Sequence, residues 1–457
     1  MRYGALSAAA CAALIVFAPG GSAQPQAEYK AGVARLDITP KKPVWMSGYG
    51  DRTKPGDGMV HPLWAKALAV EDRKGNRAVL VSVELIGLPR QISELVAARV
   101  EKEYLVPRTA LVLNSTHTHT GPYVRHNLIT MFDLPEAEIA AIREYSAALT
   151  ENLVTVIGAA LGKLEPARIE YGQGTGTFAM NRRQKTSDGV IIGVNPQGPM
   201  DHTVPVLRVT AANGAPLAIL FGYACHNTTL TGSFYQWSGD YAGFAQIELE
   251  KANPGAMAMF FMLAGADQNP EPRGTLPMAE QHGKTLAAEV SRVLRLPMKP
   301  VRGTLRSALQ ITALPFQPHT RQTFEEELST ARSAARRARA RYHLSLYDQR
   351  QQVTQVPYPV QALRFGDSLT LLTMGGEVVV DYALQVKRRY AGDIVVMGYT
   401  NDVMCYIPTA QILREGGYEA VDSMVGYGQP APFTEEVEER VLATIDSVLR
   451  RVGVKRR

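Results

Sequence analysis

Cysteine is scarce in this sequence, with three in 457 residues, and Cys11 lies in the N-terminal leader, leaving Cys225 and Cys405. Two thiols are too few for a disulfide scaffold or for a structural zinc site built on cysteine. Long apolar runs are missing as well. Residues 256–264 (AMAMFFMLA) are strand length, far short of the roughly 20 residues that cross a bilayer. No sign of charge dominates: Lys and Arg number 49, Asp and Glu 43, for a net charge of +6. So small and dispersed a surplus is not the basic patch of a nucleic-acid-binding protein. What is present is 46% hydrophobic and 20% charged residues, the composition of a folded globular chain.

The N-terminus reads as an export signal. Arg2 precedes an uncharged apolar stretch at 5–17, and Pro19-Gly20-Gly21-Ser22-Ala23 ends in small residues suited to cleavage after Ala23. Residues 1–23 are thus expected to be removed, leaving 24–457 as an exported periplasmic or extracellular protein without a transmembrane segment. In an oxidising compartment Cys225 and Cys405 either pair or remain as two buried thiols, and sequence leaves both open.

No repeat or long Gly/Ser linker divides the mature chain. Buried strands are predicted at 78–85 (AVLVSVEL), 109–114, 217–224, 256–263 and 394–398, and a hairpin at 359–365 and 368–373 turning at Gly366-Asp367. A helix at 92–104 between the first two strands makes a βαβ-like unit with parallel strands. Further helices are expected at 323–341 and 435–450. The Arg-dense half of the former reads as a solvated face or an electropositive lip. The expected fold class is α/β (mixed α+β), one large domain with central mixed sheets flanked by helices.

Polar chemistry collects where these strands stop. Ser115-Thr116-His117-Thr118-His119 follows one, Cys225-His226-Asn227 another, Asp267-Gln268-Asn269-Pro270 a third. Gly375-Gly376-Glu377 and Asn401-Asp402 follow two more. Ligands of open α/β sheets bind at strand carboxyl ends, where loops converge over a rigid sheet. In an extended segment His117 and His119 share a face, and imidazole suits a catalytic zinc with an open water position. His226 and a buried Glu377 would complete such a site. Asp267 reads equally as a residue orienting a metal-bound histidine or as a turn or N-cap residue before Pro270. Arg182, after the glycines at 172–176, has the chemistry to hold an oxyanion, but spacing alone favours an exposed arginine. His61, His126, His202, His282, His319 and His343 are assigned surface or structural duty.

Several of these segments carry a family resemblance. Residues 32–40 (GVARLDITP), Met46-Ser47-Gly48-Tyr49-Gly50, 114–122 (NSTHTHTGP) and 223–240 (YACHNTTLTGSFYQWSGD) resemble the neutral, non-lysosomal ceramidase family. Gly375-Gly376-Glu377, Tyr406-Ile407-Pro408-Thr409 and Tyr418-Glu419-Ala420 are similar to its later motifs. The resemblance implies a zinc amidase that cleaves an N-acyl, ceramide-like bond with metal-activated water. Zinc would be held by His117, His226, Glu377 and Tyr406, while His119, Arg182 and Tyr418 line the reacting carbonyl. The implied substrate is a small-molecule or lipid amide, with contact to a membrane surface and no nucleic-acid partner.

Three departures stand out. The family's Gly-Asp-x-Ser-Pro-Asn loop reads Ala266-Asp267-Gln268-Asn269-Pro270-Glu271, with Asn269 in place of serine. The expected chain carries no C-terminal immunoglobulin-like domain, and 323–341 has no family counterpart. Alternative readings are a hydrolase of another small amide or ester, or an exported binding protein without turnover.

Overall fold

Two mixed β-sheets run their strand ends toward a common point. The computed structural model describes Met1, Gly4 and residues 28–457, so the expected export signal lies almost wholly outside the described residues. The larger sheet runs, in spatial order, Met257–Met262, Pro216–Tyr223, Thr203–Ala211, Glu165–Thr175, Tyr29–Asp37, Trp64–Asp72, Arg77–Val83 and Leu111–Ser115. Its outermost pair at each end is parallel and the interior is antiparallel. The second sheet comprises Leu305–Pro315, Gln355–Phe365, Leu369–Met374 and Ile394–Met397, the last two parallel. Tight antiparallel pairing of 360–365 with 369–374 is the hairpin expected at Gly366-Asp367.

The larger sheet curls until its two outermost strands meet. Asn114 takes the place of a ladder partner there. Its Oδ1 accepts from the Met262 amide at 2.8 Å, and its Nδ2 donates to the carbonyls of Met262 at 3.2 Å and Gly398 at 2.8 Å. One buried amide thus ties together the carboxyl ends of Leu111–Ser115, Met257–Met262 and Ile394–Met397. Fully paired polar groups of this kind hold a buried junction to one geometry.

Helices Arg90–Tyr104 and Glu136–Leu161 cover one face of this sheet, and Asp240–Ala252 with Leu276–Leu294 cover the other. Burial on both faces explains why Arg77–Val83 and Met257–Met262 read as continuous apolar runs rather than alternating ones. Among the described residues no helix is long and apolar enough to cross a membrane.

The helix expected at 323–341 is two, Arg321–Thr330 and Ala334–Asp348, broken at 331–333. Composition favoured helix throughout, but an antiparallel return lets Arg339 Nε meet Glu327 at 3.0 Å, and Arg337 donates to the carbonyls of Ala331 and Arg332. Cys225 and Cys405 are both buried and free, so of the two open readings the structure takes the unpaired thiols.

Candidate metal centre

His117 sits just past the strand Leu111–Ser115, with its amide bonded to the Leu85 carbonyl at 2.9 Å. Its φ is +63°, the left-handed region, so His117 and His119 do not converge through an extended chain as expected. A sharp bend turns both rings inward, leaving their Nε2 atoms 3.1 Å apart. His226 follows the strand Pro216–Tyr223 and is anchored by its amide to the Gln268 carbonyl at 3.0 Å.

Glu377 and Tyr406 come from a separate device. Two short strands, Glu377–Val378 and Tyr406–Ile407, pair in parallel with Glu377 opposite Tyr406. Gly376 precedes them at φ +70°, and a Cβ there would lie 2.7 Å from the Cys405 carbonyl oxygen. Only glycine allows the two segments to approach so closely.

The donor atoms face one another. Glu377 Oε2 lies 3.1 Å from Nε2 of both His117 and His226, and the Tyr406 hydroxyl is 3.2 Å from His226 Nε2. His117, His119 and His226 offer ligand atoms all within 4.8 Å of one another. Ligands bound at 2.0–2.1 Å in a tetrahedron stand about 3.3 Å apart, so these spacings fit a single enclosed ion.

Chemistry of the donors points the same way. His117 Nδ1 donates to the Ile86 carbonyl at 2.7 Å and His119 Nδ1 to that of Gly48 at 3.2 Å, which leaves bare Nε2 lone pairs turned toward each other and toward a carboxylate. Such a set of buried acceptors requires a cation or protons between its members. Burial pushes the His226 imidazole down to about 3 and His119 well below its ordinary value. These residues can therefore hold a metal ion.

The first half of this site lies inside a recognised sequence family. Residues 29–271 match the family model described as neutral/alkaline non-lysosomal ceramidase, N-terminal. The chain belongs to that family. The neutral ceramidase of Pseudomonas aeruginosa is 27% identical over 238 residues, 49% of this chain and 33% of the relative. The neutral ceramidase of Drosophila melanogaster is 28% identical over 243 residues, 50% and 33% of the respective chains. These matches thus span about a third of the length of those ceramidases. The crystal structure of the Pseudomonas aeruginosa neutral ceramidase superposes with a TM-score of 0.71 at 20% identity, covering 93% of this chain and 75% of that one. At 93% of this chain, the shared fold extends beyond the family match at 29–271.

Around the donors of this ceramidase-family chain lies a shell of ion pairs and phenols. Arg182 is buried, contrary to the exposed arginine that spacing favoured. Its Nη2 donates to the Tyr406 hydroxyl at 2.9 Å, Nε to Glu419 at 2.8 Å and Nη1 to Asn269 Oδ1 at 3.3 Å. Arg183 donates to the other Glu419 oxygen at 2.7 Å. The guanidinium carbon of Arg182 also stands 5.6 Å from the Tyr418 ring centre, and that ring meets Tyr406 edge-on at 5.5 Å. Burial drives the Tyr406 phenol well above its ordinary value, with Arg182 acting in the opposite direction.

Asp267 orients no imidazole, nor does it cap its own turn. Its Oδ1 accepts from the Val380 amide at 2.8 Å, at the start of the helix that follows Glu377, and its Oδ2 accepts from Asn181 at 3.2 Å. Burial raises this carboxyl to about 7. It fastens the Glu377 segment to the Arg182 segment. Asn269 Oδ1 accepts from Thr228 at 3.4 Å as well as from Arg182. His61 contacts Ser238 at 3.2 Å and packs edge-on to Phe244, a structural role.

Sequence reasoning missed Tyr427, Tyr399 and Glu419 as contributors. Tyr427 and Tyr399 donate to Glu377 at 2.5 and 3.4 Å. Glu419 stood within the quoted Tyr418-Glu419-Ala420 motif, where two adjacent arginines at 182–183 were the available hint of a buried acidic partner.

Proposed function

We propose that this chain is an exported zinc-dependent amidohydrolase that cleaves the N-acyl bond of a ceramide-like amide, with residues 24–457 forming one catalytic domain. The observation that carries the reading is the convergence of His117, His226, Glu377 and Tyr406 donor atoms at 3.1–3.2 Å. A nitrogen and oxygen set with no thiolate suits zinc in a catalytic site. When bound there, zinc supplies Lewis acidity toward a carbonyl and lowers the pKa of water to about 7.

The remaining work falls to side chains. His119 is half-buried while His117 and His226 are fully buried, so it borders the open side. Its Nε2 takes a proton from the attacking water and delivers it to the departing amine nitrogen as the C–N bond breaks. Arg182 and Tyr418 donate toward the carbonyl oxygen as negative charge develops on it. Products are a carboxylate and a free amine. No serine hydroxyl is needed, so Asn269 in the Ala266–Glu271 loop is compatible with turnover.

Elemental analysis of the purified chain, followed by hydrolysis of N-acyl amides of graded acyl length, tests the reading. About one zinc per chain is expected, with turnover of a lipid amide. His117→Ala should lose both metal and activity. Retention of both by that variant refutes the metal centre, and zinc without turnover on any amide refutes the hydrolase.

A further inference from the structure

Far from the metal donors the larger sheet carries a second concavity. The strand Pro216–Tyr223 leads into His226 at its carboxyl end, and Pro216, at its other end, lines a cleft of about 820 Å³. At about 3.3 Å per residue, roughly 23 Å of strand separates Pro216 from Tyr223. The cleft is floored by two antiparallel strands, Glu165–Thr175 and Thr203–Ala211. Arg208 lies opposite Glu170 and Thr210 opposite Arg168, and residues two apart in a strand share a face, so these four side chains stand together. The helix Leu276–Leu294 packs on both strands and stops beside them, where the Leu294 carbonyl accepts from Arg208 Nη1 at 3.1 Å.

Cations outnumber acids in this cleft. Arg73, Arg168, Arg208 and Arg302 line it together with Glu28 and Glu170. Arg208 pairs with Glu170 at 2.8 Å and Arg73 with Glu28 at 3.7 Å. The guanidinium groups of Arg168 and Arg302 have no carboxylate partner among the described residues. Arg302 enters from the side, directly after the strand Lys299–Val301, in which Pro300 lies opposite Glu170. Its amide donates to Ser368 Oγ at 3.1 Å and its carbonyl accepts from the same hydroxyl at 3.2 Å. The backbone there is held while the cation is not.

Concave walls of one sign concentrate ions of the other, and the fork of an arginine matches a phosphate group with two parallel N–H bonds. The volume is that of a small-molecule site. The large apolar side chains of the lining, Ile169 and Val301, are each only 2% exposed, so the cleft offers an acyl chain no surface. Charge and lining together favour a soluble anion over a lipid headgroup.

We propose that this cleft is a binding site for a soluble, multiply charged phosphate compound. Arg168 and Arg302 supply the unmatched charge, Arg73 and Arg208 share theirs between an acid and the ligand, and Thr210 adds a hydroxyl beside Arg168. The inference stands apart from the hydrolase reading, since neither a metal donor nor the amide substrate enters it.

Calorimetric titration of the full zinc-loaded chain with inorganic pyrophosphate tests the site. Saturable binding is expected, weakened by added salt. Arg168→Gln with Arg302→Gln should weaken it about 10- to 100-fold, leaving zinc content and amide hydrolysis unchanged, and Glu170→Gln, which releases Arg208, should strengthen it. Pyrophosphate also coordinates zinc, so His117→Ala, which removes the metal, is expected to bind it as tightly as the wild type. Binding that is lost in His117→Ala and kept in the double glutamine variant puts the anion on the metal and overturns the proposal. Absence of saturable binding overturns it as well. So does displacement of bound pyrophosphate by phosphatidylglycerol vesicles, which would make the cleft a headgroup site.

Discussion

The Tyr427 hydroxyl donates to Oε1 of Glu377 at 2.5 Å, while Oε2 of the same carboxylate faces the Nε2 atoms of His117 and His226 at 3.1 Å each. One oxygen is held by a phenol and the other is thereby aimed at the imidazoles. Partners of this kind set ligand orientation and basicity, and their loss typically costs 10–100-fold in metal affinity. Tyr427→Phe is expected to weaken zinc binding within that range, read by competition with a chelator. Unchanged affinity would show that the phenol merely fills space.

Arg182 meets Tyr406, Glu419 and Asn269 through three different nitrogens. Lysine has one nitrogen at the end of a flexible stem and cannot reproduce a planar fork. Arg182→Lys should lower kcat by about 100- to 1,000-fold, the usual loss on removing one oxyanion donor, with zinc content intact. Steady-state kinetics on metal-loaded protein decides. A change confined to KM would move Arg182 out of the reacting centre.

Glu419 is the shared anion of two buried guanidinium groups, at 2.8 Å from Arg182 and 2.7 Å from Arg183. Glu419→Gln strands the Arg182 cation, while Arg183 keeps Glu415 at 3.2 Å, and breaking a buried pair costs about 3–5 kcal/mol, measurable by urea denaturation. Burial opposes the charged form of Glu419, but the two arginines outweigh it and hold the carboxyl below its usual range. Its contribution is thus present above the unfolded pKa of about 4.3 and is lost as pH falls through the depressed folded value.

His343 gives a second acid-sensitive term away from the metal centre. Burial lowers its imidazole to about 4, with the Gly428 carbonyl acting in the opposite direction and Arg339 and His319 adding to burial. Its ring stacks on Phe324 at 4.6 Å. Between an unfolded value of about 6.5 and the folded one, the unfolded chain binds a proton that the fold refuses. Stability is retained above that window and falls as pH drops through it, by up to about 3 kcal/mol. His343→Gln should lose less stability than the wild type between pH 7 and pH 4; parallel curves would contradict this.

Asn269 accepts from Arg182 at 3.3 Å and from Thr228 at 3.4 Å. Asn269→Ala frees one edge of the Arg182 guanidinium without touching a metal donor. A fall in kcat of about 10-fold is expected, with zinc content preserved. Full activity would show that Glu419 and Tyr406 alone are enough to hold that arginine.

Strand positions were readable because burial on both faces writes continuous apolar runs into residues such as 78–85 and 256–263, a local signal. The polar residues ending those strands were readable for the same reason, and they supplied His117, His226 and Glu377. Arg182 was misjudged because its burial depends on Glu419, 237 positions away. Tyr427 and Tyr399 were invisible because a buried tyrosine in sequence does not announce which carboxylate its hydroxyl meets. The break at 331–333 escaped notice because helix propensity is summed along the chain, whereas the return of Ala334–Asp348 is held by Glu327 across space.

Chain order alone therefore settled several of the buried strands and which chemical groups stand at their ends, since periodicity and residue type act over a few neighbours. Tertiary structure decided the rest. The left-handed bend at His117, the parallel register of Glu377 with Tyr406 and the curl that brings Asn114 to Met262 each depend on partners distant in sequence. Distances between donor atoms are properties of that packing, and no local pattern encodes them.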